Sequence, residues 1–503
     1  MKPHPQDYQK TAEAEIAKKA QREFLARLSE NNRLRCNNAM GIFGDLKDQQ
    51  AAKQVAGNIR ENSLNALPDL LEKFEANAAR NGIKVLWAED GPEAIRLILD
   101  LAKKHDAKIV TKGKSIISEE IDLNHSLENA GMKVYEGDLG EFIVQQRGTP
   151  PFHLVGPAIN LTVPEIASLL HEHVNMPYTE KPLEMAEFVR NFLRSQFEMV
   201  DIGITGVNQA VASTGSIILV ENEGNIRWST TSPRIQISLM SVEKIVGSLE
   251  EALYLLSLLT TNCTGQVMTS YISIINGPRK PEDFDGPEEV YVVIIDNGRS
   301  TAYQDPSLRG GLKCIRCGRC MYRCPIWLRV GAYPYGWCYS GPIAKVLSPL
   351  LLGLDQTQDL YEACTLCGAC EEICPVKVPH TEIVEYYREI KSSGSKTFRA
   401  APPSFAEKLA FSLWGKAISS PSIFAGGLGM VKLFTRLLSK NGYVKYLPGP
   451  MKGWFSCRDL PEPPALSFHQ RWKKGLLPKA TIKMEKGSIA INQDGGGEAN
   501  YGQ

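Results

Sequence analysis

Residues 314–325 read CIRCGRCMYRCP, and residues 364–375 read CTLCGACEEICP. Both copies have the spacing Cys-x-x-Cys-x-x-Cys-x-x-x-Cys-Pro, which is typical of chains that bind [4Fe–4S] clusters. Three cysteines at this spacing can bind one small cubane from a single tight loop, and the fourth usually binds the other cluster of the pair. We therefore predict two clusters, one bound by Cys314, Cys317, Cys320 and Cys374, and the other by Cys364, Cys367, Cys370 and Cys324.

Zinc and disulfides are the two alternatives for a cysteine-rich segment. A structural zinc site needs only four ligands, usually from two Cys-x-x-Cys pairs or from one pair with histidines. A third cysteine at the same spacing and a fourth before proline, present twice, fit zinc poorly. Disulfides are typical of small secreted domains, whereas this chain has 503 residues and no apparent secretory signal at its N-terminus. Iron–sulfur chemistry is therefore the favoured interpretation.

Composition excludes several functional classes. A chain of 503 residues usually forms more than one domain, and 43% hydrophobic residues are enough for a large core. The 57 basic and 56 acidic side chains give a formal charge of +1, so no excess of cations suggests nucleic acid as a partner. No uninterrupted apolar run reaches the length of about 20 residues that a membrane-spanning helix needs. The most apolar stretch, residues 409–438, indicates packed helices or a docking surface, and the cysteine usage favours the cytoplasm.

The order of predicted elements divides the chain into four parts. Residues 1–82 are rich in helix-forming residues, with helices expected at 11–37 and 68–81. Residues 83–300 alternate strands and helices, which predicts a parallel α/β domain. Residues 301–395 hold both cysteine motifs, and residues 396–503 are a helical segment with a polar tail that we expect to be disordered. The strands expected in the α/β domain lie at 84–88, 108–111, 133–135, 153–155, 202–205, 216–220 and 290–295, and the helices at 91–105, 119–130, 163–170 and 249–259.

The segment between the two motifs predicts the architecture of the cysteine-rich part. Cys324 and Cys364 are separated by a stretch that is too short for a domain and rich in Gly, Pro and Tyr. In a compact bacterial-type ferredoxin the two motifs lie closer together in a β-rich fold. The wide separation therefore favours a helical module, as in the two-cluster subunits of respiratory complexes, an inference that rests partly on analogy.

The α/β domain carries polar motifs at the predicted strand ends, where open α/β sheets bind ligands. Lys112 or Lys114 in the run TKGKS could bind a carboxylate or a phosphate, although a solvated turn explains the same pattern. An Arg can bind a carboxylate with both nitrogens and a His can accept a proton, so we consider His153, Arg234 and Arg299 for a small hydroxy-acid site. Gly and Ser in turns need no function, so three further polar turns are weaker candidates, namely 138–141, 205–208 and 213–216.

Other motifs are absent or unassigned. The sequence contains no Gly-x-Gly-x-x-Gly after a strand, no Gly-x-Ser-x-Gly and no His-Glu-x-x-His, so it encodes no recognisable nicotinamide or flavin fold. Four cysteines lie outside the two motifs. A free cysteine is ordinarily a small buried hydrophobe, so we assign no metal to Cys36, Cys263, Cys338 and Cys457.

The combination of motifs resembles the lactate utilization protein B family. The residues that carry this resemblance include Ser118-Glu-Glu-Ile121, Asp138-Leu-Gly-Glu141, Asn222-Glu-Gly-Asn225, Asp296-Asn-Gly-Arg-Ser300 and the first cysteine motif. The match continues through Tyr335-Gly336 and Gly341-Pro-Ile343 to Leu447-Pro-Gly-Pro450 and Gly453-Trp454. It covers roughly residues 60–475, that is, most of the chain.

The resemblance implies a LUD domain similar to the sugar-isomerase and CoA-transferase-like α/β fold, followed by a helical ferredoxin domain with two [4Fe–4S] clusters. It also implies a cytoplasmic iron–sulfur subunit in a complex that oxidises L-lactate to pyruvate. The implied partners are a cysteine-rich CCG-domain subunit and a smaller LUD subunit. The eight cysteines carry over position by position, whereas no catalytic residue does.

The chain departs from the family pattern at two places. The family usually has a Gly-Gly-His-x-Tyr-Gly stretch, where this chain reads GAYPYG at 331–336, and the family's Pro-Ala-Ile-His is PAIN at 157–160. Three interpretations therefore remain open. The chain could be the electron-transfer subunit of a lactate-oxidising complex, an electron-transfer and scaffold subunit without its own substrate site, or an oxidoreductase for another hydroxy acid or a thiol–disulfide couple.

Overall fold

The computed structural model describes residues 8–447, 455, 458–476, 481–485 and 488–492. The chain separates into two units, the first ending at Pro403 and the second beginning at Ser404. The first unit contains the α/β part and both cysteine motifs, and the second contains the remaining helices and strands.

Six parallel strands form the central sheet of the first unit, in the order β1-β10-β7-β4-β2-β3. The neighbouring inner strands β10 and β7 are buried along almost their whole length, as expected for a parallel sheet that is covered on both faces. All six strands run in the same direction, so their carboxyl ends meet at one edge. Their bounds are β1 Ile83–Ala88, β2 Ile109–Lys112, β3 Lys133–Glu136, β4 Ile202–Gly206, β7 Ile235–Ser241 and β10 Glu289–Ile295.

A smaller sheet of four strands and nine helices complete the α/β part. The small sheet has the order β8-β5-β6-β9, and only the pair β5 and β8 is parallel. Its strands are β5 Gln209–Val211, β6 Ser216–Glu221, β8 Ile245–Val246 and β9 Tyr271–Ile275. The helices are α5 Gly91–Lys104, α6 Ile116–Glu120, α7 Leu123–Asn129, α8 Leu139–Arg147, α9 Val163–Val174, α10 Pro182–Phe197, α11 Asn225–Thr231, α12 Leu249–Cys263 and α13 Arg299–Gln304.

Most expected elements of the α/β part are confirmed. Two expectations are wrong. Residues 153–155 form bends rather than a strand, and the single helix expected at 119–130 is two helices, because Asp122 takes a left-handed conformation with φ of 54°. Strand β7 was not predicted, although it lies near the centre of the sheet. Its Gln236 and Ser238 interrupt the apolar pattern, and both are buried because Gln236 donates a hydrogen bond to Ser238 at 3.0 Å.

Four N-terminal helices pack against both the α/β part and the cysteine-rich part. They are α1 Tyr8–Ala17, α2 Lys19–Met40, α3 Leu46–Asn65 and α4 Leu67–Arg80. The helix expected at 11–37 is therefore broken, at Lys18, where ψ is 86°. Tyr8 packs edge-on against Tyr335, between the two cysteine motifs, with 5.9 Å between ring centroids. These contacts bring the N-terminal segment next to the predicted cluster sites.

The cysteine-rich part is helical, as the wide separation of its motifs predicts. Between Pro306 and Ser393, a range that is fully described, the structure contains no strand. The two motifs themselves form loops with short helical turns. The α-helices are α14 Pro306–Arg309, α15 Trp327–Val330, α16 Gly341–Leu352, α17 Leu354–Glu362, α18 Ala369–Ile373 and α19 His380–Ser393.

The second unit begins with two apolar helices that bury very little. Helix α20, Phe405–Ser419, has no buried residue, and α21, Pro421–Leu438, has only Thr435. The helices expected in this stretch are confirmed, whereas the choice between packed helices and a docking surface stays a prediction. Within the described chain no single helix is long and apolar enough to span a membrane; α20 and α21 pass only as a pair, which is bent by 106°. The other elements are β11 Tyr443–Val444, β12 Leu460–Pro461, α22 Phe468–Lys473, β13 Thr481–Glu485 and β14 Ser488–Asn492, and the tail expected to be disordered lies largely outside the described residues.

Gly203 allows α11 to approach β4, and this contact provides a test of the fold. A Cβ atom at this position would lie 1.7 Å from the carbonyl oxygen of Ser229. We expect Gly203→Ala to lower the free energy of unfolding by more than about 3 kcal/mol, because strand and helix would have to separate. Thermal unfolding of the purified chain measures the effect. Gly41→Ala is the control, since nothing lies within 4 Å of that position, and equal midpoints for the two variants would contradict the packing of α11 on β4.

Candidate cluster-binding site and adjoining cavity

Cysteines of both motifs line one small cavity in the cysteine-rich part. Cys364, Cys367 and Cys370 come from the second motif, whereas Cys324 is the last cysteine of the first. Burial and then Cys324 raise the pKa of Cys370 to about 12. The four cysteines that the sequence predicts for one cluster thus line the same cavity, while their binding of a cluster stays a prediction.

The remaining four motif cysteines lie near one another. Burial raises the pKa of Cys317, and the next contributions come from Cys374 and Cys314. Burial likewise raises the pKa of Cys320, with Cys317, Cys314, Cys370 and Cys374 as further causes. Cys320 thus interacts with Cys370 of the other group, so the two groups of cysteines adjoin.

The cysteine side chains fit iron–sulfur clusters. All motif cysteines are free thiols. Two of the thiol sulfurs accept backbone hydrogen bonds, Cys314 from the N–H of Arg316 at 3.4 Å and Cys374 from that of Val378 at 3.3 Å. Among the described residues no three His, Cys, Asp or Glu side chains converge on a point that could hold a single metal ion. A cubane does not need such convergence, because each cysteine binds a different iron atom.

Arg319 adds an electrostatic argument for an anionic group beside the first motif. Only 2% of its surface is exposed, and its guanidinium donates hydrogen bonds to the neutral side chains of Asn32 at 2.6 Å and Asn37 at 2.9 Å. Its Nε has no partner within the described part of the chain. A buried cation without a carboxylate is costly, and a cluster bound by four thiolates would supply the missing negative charge.

A cavity of about 510 Å³ lies between the carboxyl edge of the central sheet and the first cysteine motif. This volume falls in the range of small-molecule sites, about 300–1,000 Å³. The sheet contributes the residues that follow β2, β4 and β7, and the cysteine-rich part contributes Ile315, Arg316, Tyr322 and Tyr339. The sequence predicted ligand binding at strand ends, but it could not show that these loops face the first motif.

The two lysines considered from the sequence have different surroundings. Lys112 is buried and forms ion pairs with Glu119 and with Glu136, the latter at 2.7 Å, so it belongs to the core of the domain. Lys114 lines the cavity and donates a hydrogen bond to the carbonyl of Val155. Of these two lysines, only Lys114 therefore remains a candidate for binding an anion.

Lys244 is the cavity residue that sequence analysis missed. It follows β7, the strand that was not predicted, and it is almost completely buried. No ion pair or hydrogen bond of its ammonium is found in the described part of the chain; its neighbour Glu243 is occupied by Arg299 and Arg316. Burial, followed by Arg316, lowers the pKa of Lys244 to about 7. Correct placement of β7 would have put Lys244 at the same sheet edge as Lys114.

His153 lines the cavity, but the expectation that it accepts a proton is wrong. Its Nδ1 accepts hydrogen bonds from the backbone N–H groups of Val155 at 3.1 Å and Gly156 at 3.3 Å. The proton of the neutral ring therefore lies on Nε2. Burial lowers the pKa of His153 to about 3, so the ring stays neutral at physiological pH. The Nε2–H group lies beside Gly318 of the first motif, since a Cβ atom on that glycine would be 3.3 Å from Nε2. His153 therefore directs a hydrogen-bond donor toward the first motif.

The structure does not bring Arg234 and Arg299 into the cavity. Arg234 is exposed and pairs with Glu288 at 2.9 Å. Arg299 is fully buried and donates two parallel hydrogen bonds to Glu120, at 2.7 and 2.8 Å. It also forms an ion pair with Glu243 at 3.0 Å, at an angle outside that of a hydrogen bond.

Glu243 connects this buried network to the first motif. Its other oxygen accepts a hydrogen bond from Arg316 at 2.9 Å. Burial alone would raise the pKa of Glu243, but Arg299 and Arg316 together lower it to about 2. The arginine in the cavity wall is thus already neutralised by a carboxylate.

The three polar turns that the sequence singles out differ in whether they line the cavity. Asp138 lines the cavity and caps α8 by accepting a hydrogen bond from the N–H of Glu141 at 3.0 Å. Gly206 and Asn208 also line the cavity. The turn at 213–216 instead packs against α4, where Asn77 donates a hydrogen bond to the carbonyl of Ser213 at 3.1 Å.

The two departures from the family pattern contact each other. Asn160 donates a hydrogen bond to the hydroxyl of Tyr333 at 2.8 Å. In the family pattern a histidine is expected where this chain has Tyr333, and another is expected where it has Asn160. The two replacements therefore form one paired contact.

The described cysteines outside the motifs have surroundings of their own, and their exclusion as cluster ligands stays a prediction. Cys36 donates a hydrogen bond to Asn32 at 3.6 Å. Cys263 lies in the cavity wall, and burial raises its pKa to about 12. Burial also raises the pKa of Cys338, whose nearest charges are Glu120 and Glu119. Cys457 lies outside the described residues.

Fold and cysteines together define the class of protein: an iron–sulfur protein in which a parallel α/β domain precedes a helical two-motif module. Residues 71–295 match the family described as LUD domain, and residues 311–378 match the 4Fe-4S dicluster domain. Residues 389–475 match the family described as lactate utilisation protein B, C-terminal. The chain belongs to the lactate utilization protein B family.

Relatives support this assignment over most of the chain. A lactate utilization protein B of Bacillus licheniformis is 41% identical over 83% of this chain and 87% of its own length. That of Geobacillus kaustophilus is 39% identical over 87% and 92%. A DUF162 family crystal structure from Deinococcus radiodurans covers 46% of this chain and 98% of its own at 13% identity, with a TM-score of 0.27, which is too low for a structural argument.

Glu141 provides a pH-dependent test of the buried acids near Lys114. Burial first, then Glu119 and Glu136, raise its pKa to about 8. Since the folded-state pKa exceeds the unfolded value, the stability from protonated Glu141 is complete below about pH 4.3 and is lost as pH rises through 8. We expect Glu141→Gln to stabilise the chain by roughly 1–3 kcal/mol at pH 8.5 and to have little effect at pH 4.5.

Thermal unfolding at both pH values measures this difference. The exposed Glu128→Gln is the matched control. A stabilisation by Glu141→Gln that is equal at both pH values would contradict the raised pKa.

Proposed function

We propose that the chain is the iron–sulfur electron-transfer subunit of a complex that oxidises L-lactate to pyruvate. The observation that carries this proposal is the cavity in which Cys324 of the first motif joins Cys364, Cys367 and Cys370 of the second. This arrangement fits a pair of clusters at adjoining sites. Membership of the lactate utilization protein B family supports the choice of lactate as the substrate.

The ligand assignment is part of the same proposal. Cys314, Cys317, Cys320 and Cys374 would hold one cluster, and Cys364, Cys367, Cys370 and Cys324 the other. When bound, two [4Fe–4S] clusters supply one-electron acceptors. Oxidation of one L-lactate to pyruvate releases two electrons and two protons, so two one-electron acceptors match the stoichiometry of one turnover.

The surroundings of the two motifs favour one direction of electron transfer through the chain. Ile315 and Arg316 of the first motif line the large cavity, so electrons from a substrate there would enter on this side. The second motif contains Cys367, the one exposed thiol among the described cysteines. Electrons would therefore leave near Cys367, toward the partners that the family resemblance implies, a CCG-domain subunit and a smaller LUD subunit. The resemblance and the free thiols also support a cytoplasmic location.

Addition of L-lactate to the anaerobically reconstituted chain tests the function. Visible absorption of the clusters reports their reduction, and D-lactate is the control. We expect L-lactate to bleach the absorption in the presence of the two partner subunits. Bleaching by the isolated chain would show that it holds the substrate site itself. Absence of bleaching even with both partners would contradict the proposal.

Serine substitutions test the exchange of the fourth cysteine. We expect Cys374→Ser to alter the same EPR signal as Cys314→Ser, and Cys324→Ser the same signal as Cys364→Ser. Loss of one cluster should reduce the iron content from about eight to about four atoms per chain. Cys338→Ser, in a buried cysteine outside both groups, should leave the iron content unchanged. If Cys324→Ser altered the signal that Cys314→Ser alters, the assignment would be wrong.

A further inference from the structure

We infer that the cavity at the sheet edge binds the carboxylate of a small organic acid in this chain itself, and that Lys244 is the residue that binds it. The inference rests on the proposed function for the identity of the acid, L-lactate. It assigns a substrate-binding site, and the lysine that binds the carboxylate, to a subunit that would otherwise only transfer electrons.

Within the described residues the side-chain amine of Lys244 has no hydrogen-bond or ion-pair partner. About nine-tenths of its surface is buried, and it faces the cavity. Its nearest carboxylate, Glu243, is held by Arg299 at 3.0 Å and by Arg316 at 2.9 Å. A buried charge is costly unless it is paired, which is why burial lowers the pKa of Lys244. An anion in the cavity would stabilise the protonated amine.

The three acidic residues of the cavity wall have other partners. Glu223 is exposed and accepts a hydrogen bond from the backbone N–H of Asn222 at 3.2 Å. Both oxygens of Glu221 accept hydrogen bonds from backbone N–H groups, those of Ile226 at 2.6 Å and Arg227 at 2.9 Å. Asp138 caps α8 in the same manner. Backbone N–H groups thus donate to all three carboxylates, whereas the Lys244 amine has no partner in the described part of the chain.

The sheet topology puts a second cation at the same edge. Lys114 follows β2 and Lys244 follows β7, and β4 lies between these two strands. Gly206 and Val207, at the end of β4, therefore form the floor between the lysines, and all four residues line the cavity. The first cysteine motif closes the opposite side through Arg316. An acid bound at Lys244 would then lie between the sheet edge and the electron-accepting motif.

Direct binding to the full cluster-loaded chain, without partner subunits, tests the inference. Isothermal titration calorimetry under anaerobic conditions would use L-lactate and pyruvate. Pyruvate is included because it cannot reduce oxidised clusters. We expect both to bind at one site, and Lys244→Gln to weaken binding about tenfold or more, as for loss of a charged hydrogen bond. Lys244→Arg, which keeps the charge, should retain part of the affinity. A titration with inorganic phosphate distinguishes a site for organic acids from a site that binds any anion.

Two further variants keep the test decisive. Lys53→Gln is the matched control, because Lys53 is equally buried but lies outside the cavity, and it should bind as the wild type does. Lys114→Gln, which should weaken binding several-fold, replaces Lys244→Gln if that variant fails to fold. Visible absorption confirms that each variant retains its clusters.

The outcomes separate this inference from the proposed function. No binding of either acid to the isolated chain would overturn the inference, while bleaching by lactate in the presence of the partners would leave the electron-transfer role intact. Unchanged affinity in Lys244→Gln would also overturn it. Phosphate binding as tight as that of lactate would overturn the assignment to organic acids.

Discussion

The buried carboxylate of Glu243 holds the two halves of the first unit together. It accepts one arginine from the end of the α/β part, Arg299, and one from the first cysteine motif, Arg316. Arg299 in turn pairs with Glu120, whose carboxylate also accepts a hydrogen bond from Tyr339 at 2.6 Å. Loss of one member of such a buried network typically costs about 3–5 kcal/mol, so the sheet edge and the cysteine loop are held at a constant separation.

This network lies beside the cavity at the first motif. The sheet edge there ends in loops, and Arg316, which pairs with Glu243, belongs to the cavity wall. Among the described residues, Lys244 of the cavity wall has no hydrogen-bond or ion-pair partner, while Glu243 pairs with two arginines. The geometry thus combines a volume suited to a small molecule, an unpaired lysine and an adjacent cysteine motif.

Local patterns predicted much of the fold. Apolar runs between turn residues were enough to predict most of the central sheet, and the wide spacing of the two motifs was enough to predict a helical module. The prediction failed where tertiary contacts overrode local pattern. Strand β7 contains Gln236 and Ser238, which are tolerated only because they hydrogen-bond inside the sheet. Residues 153–155 have strand-like composition but bend, because His153 accepts the backbone N–H groups that a strand would give to its neighbour.

The sequence by itself determined the chemistry of the cysteines, because cluster binding depends on the spacing of a few residues within one loop. It also determined the family, since many short motifs recur in order. Only the tertiary structure decided which polar residues share a site. Lys112 and Lys114 are two positions apart, yet one belongs to a buried ion-pair network and the other to the cavity wall. Lys244 and Arg316 are far apart in sequence but line the same cavity, because the fold joins strand ends and loops over long separations that local spacing does not encode.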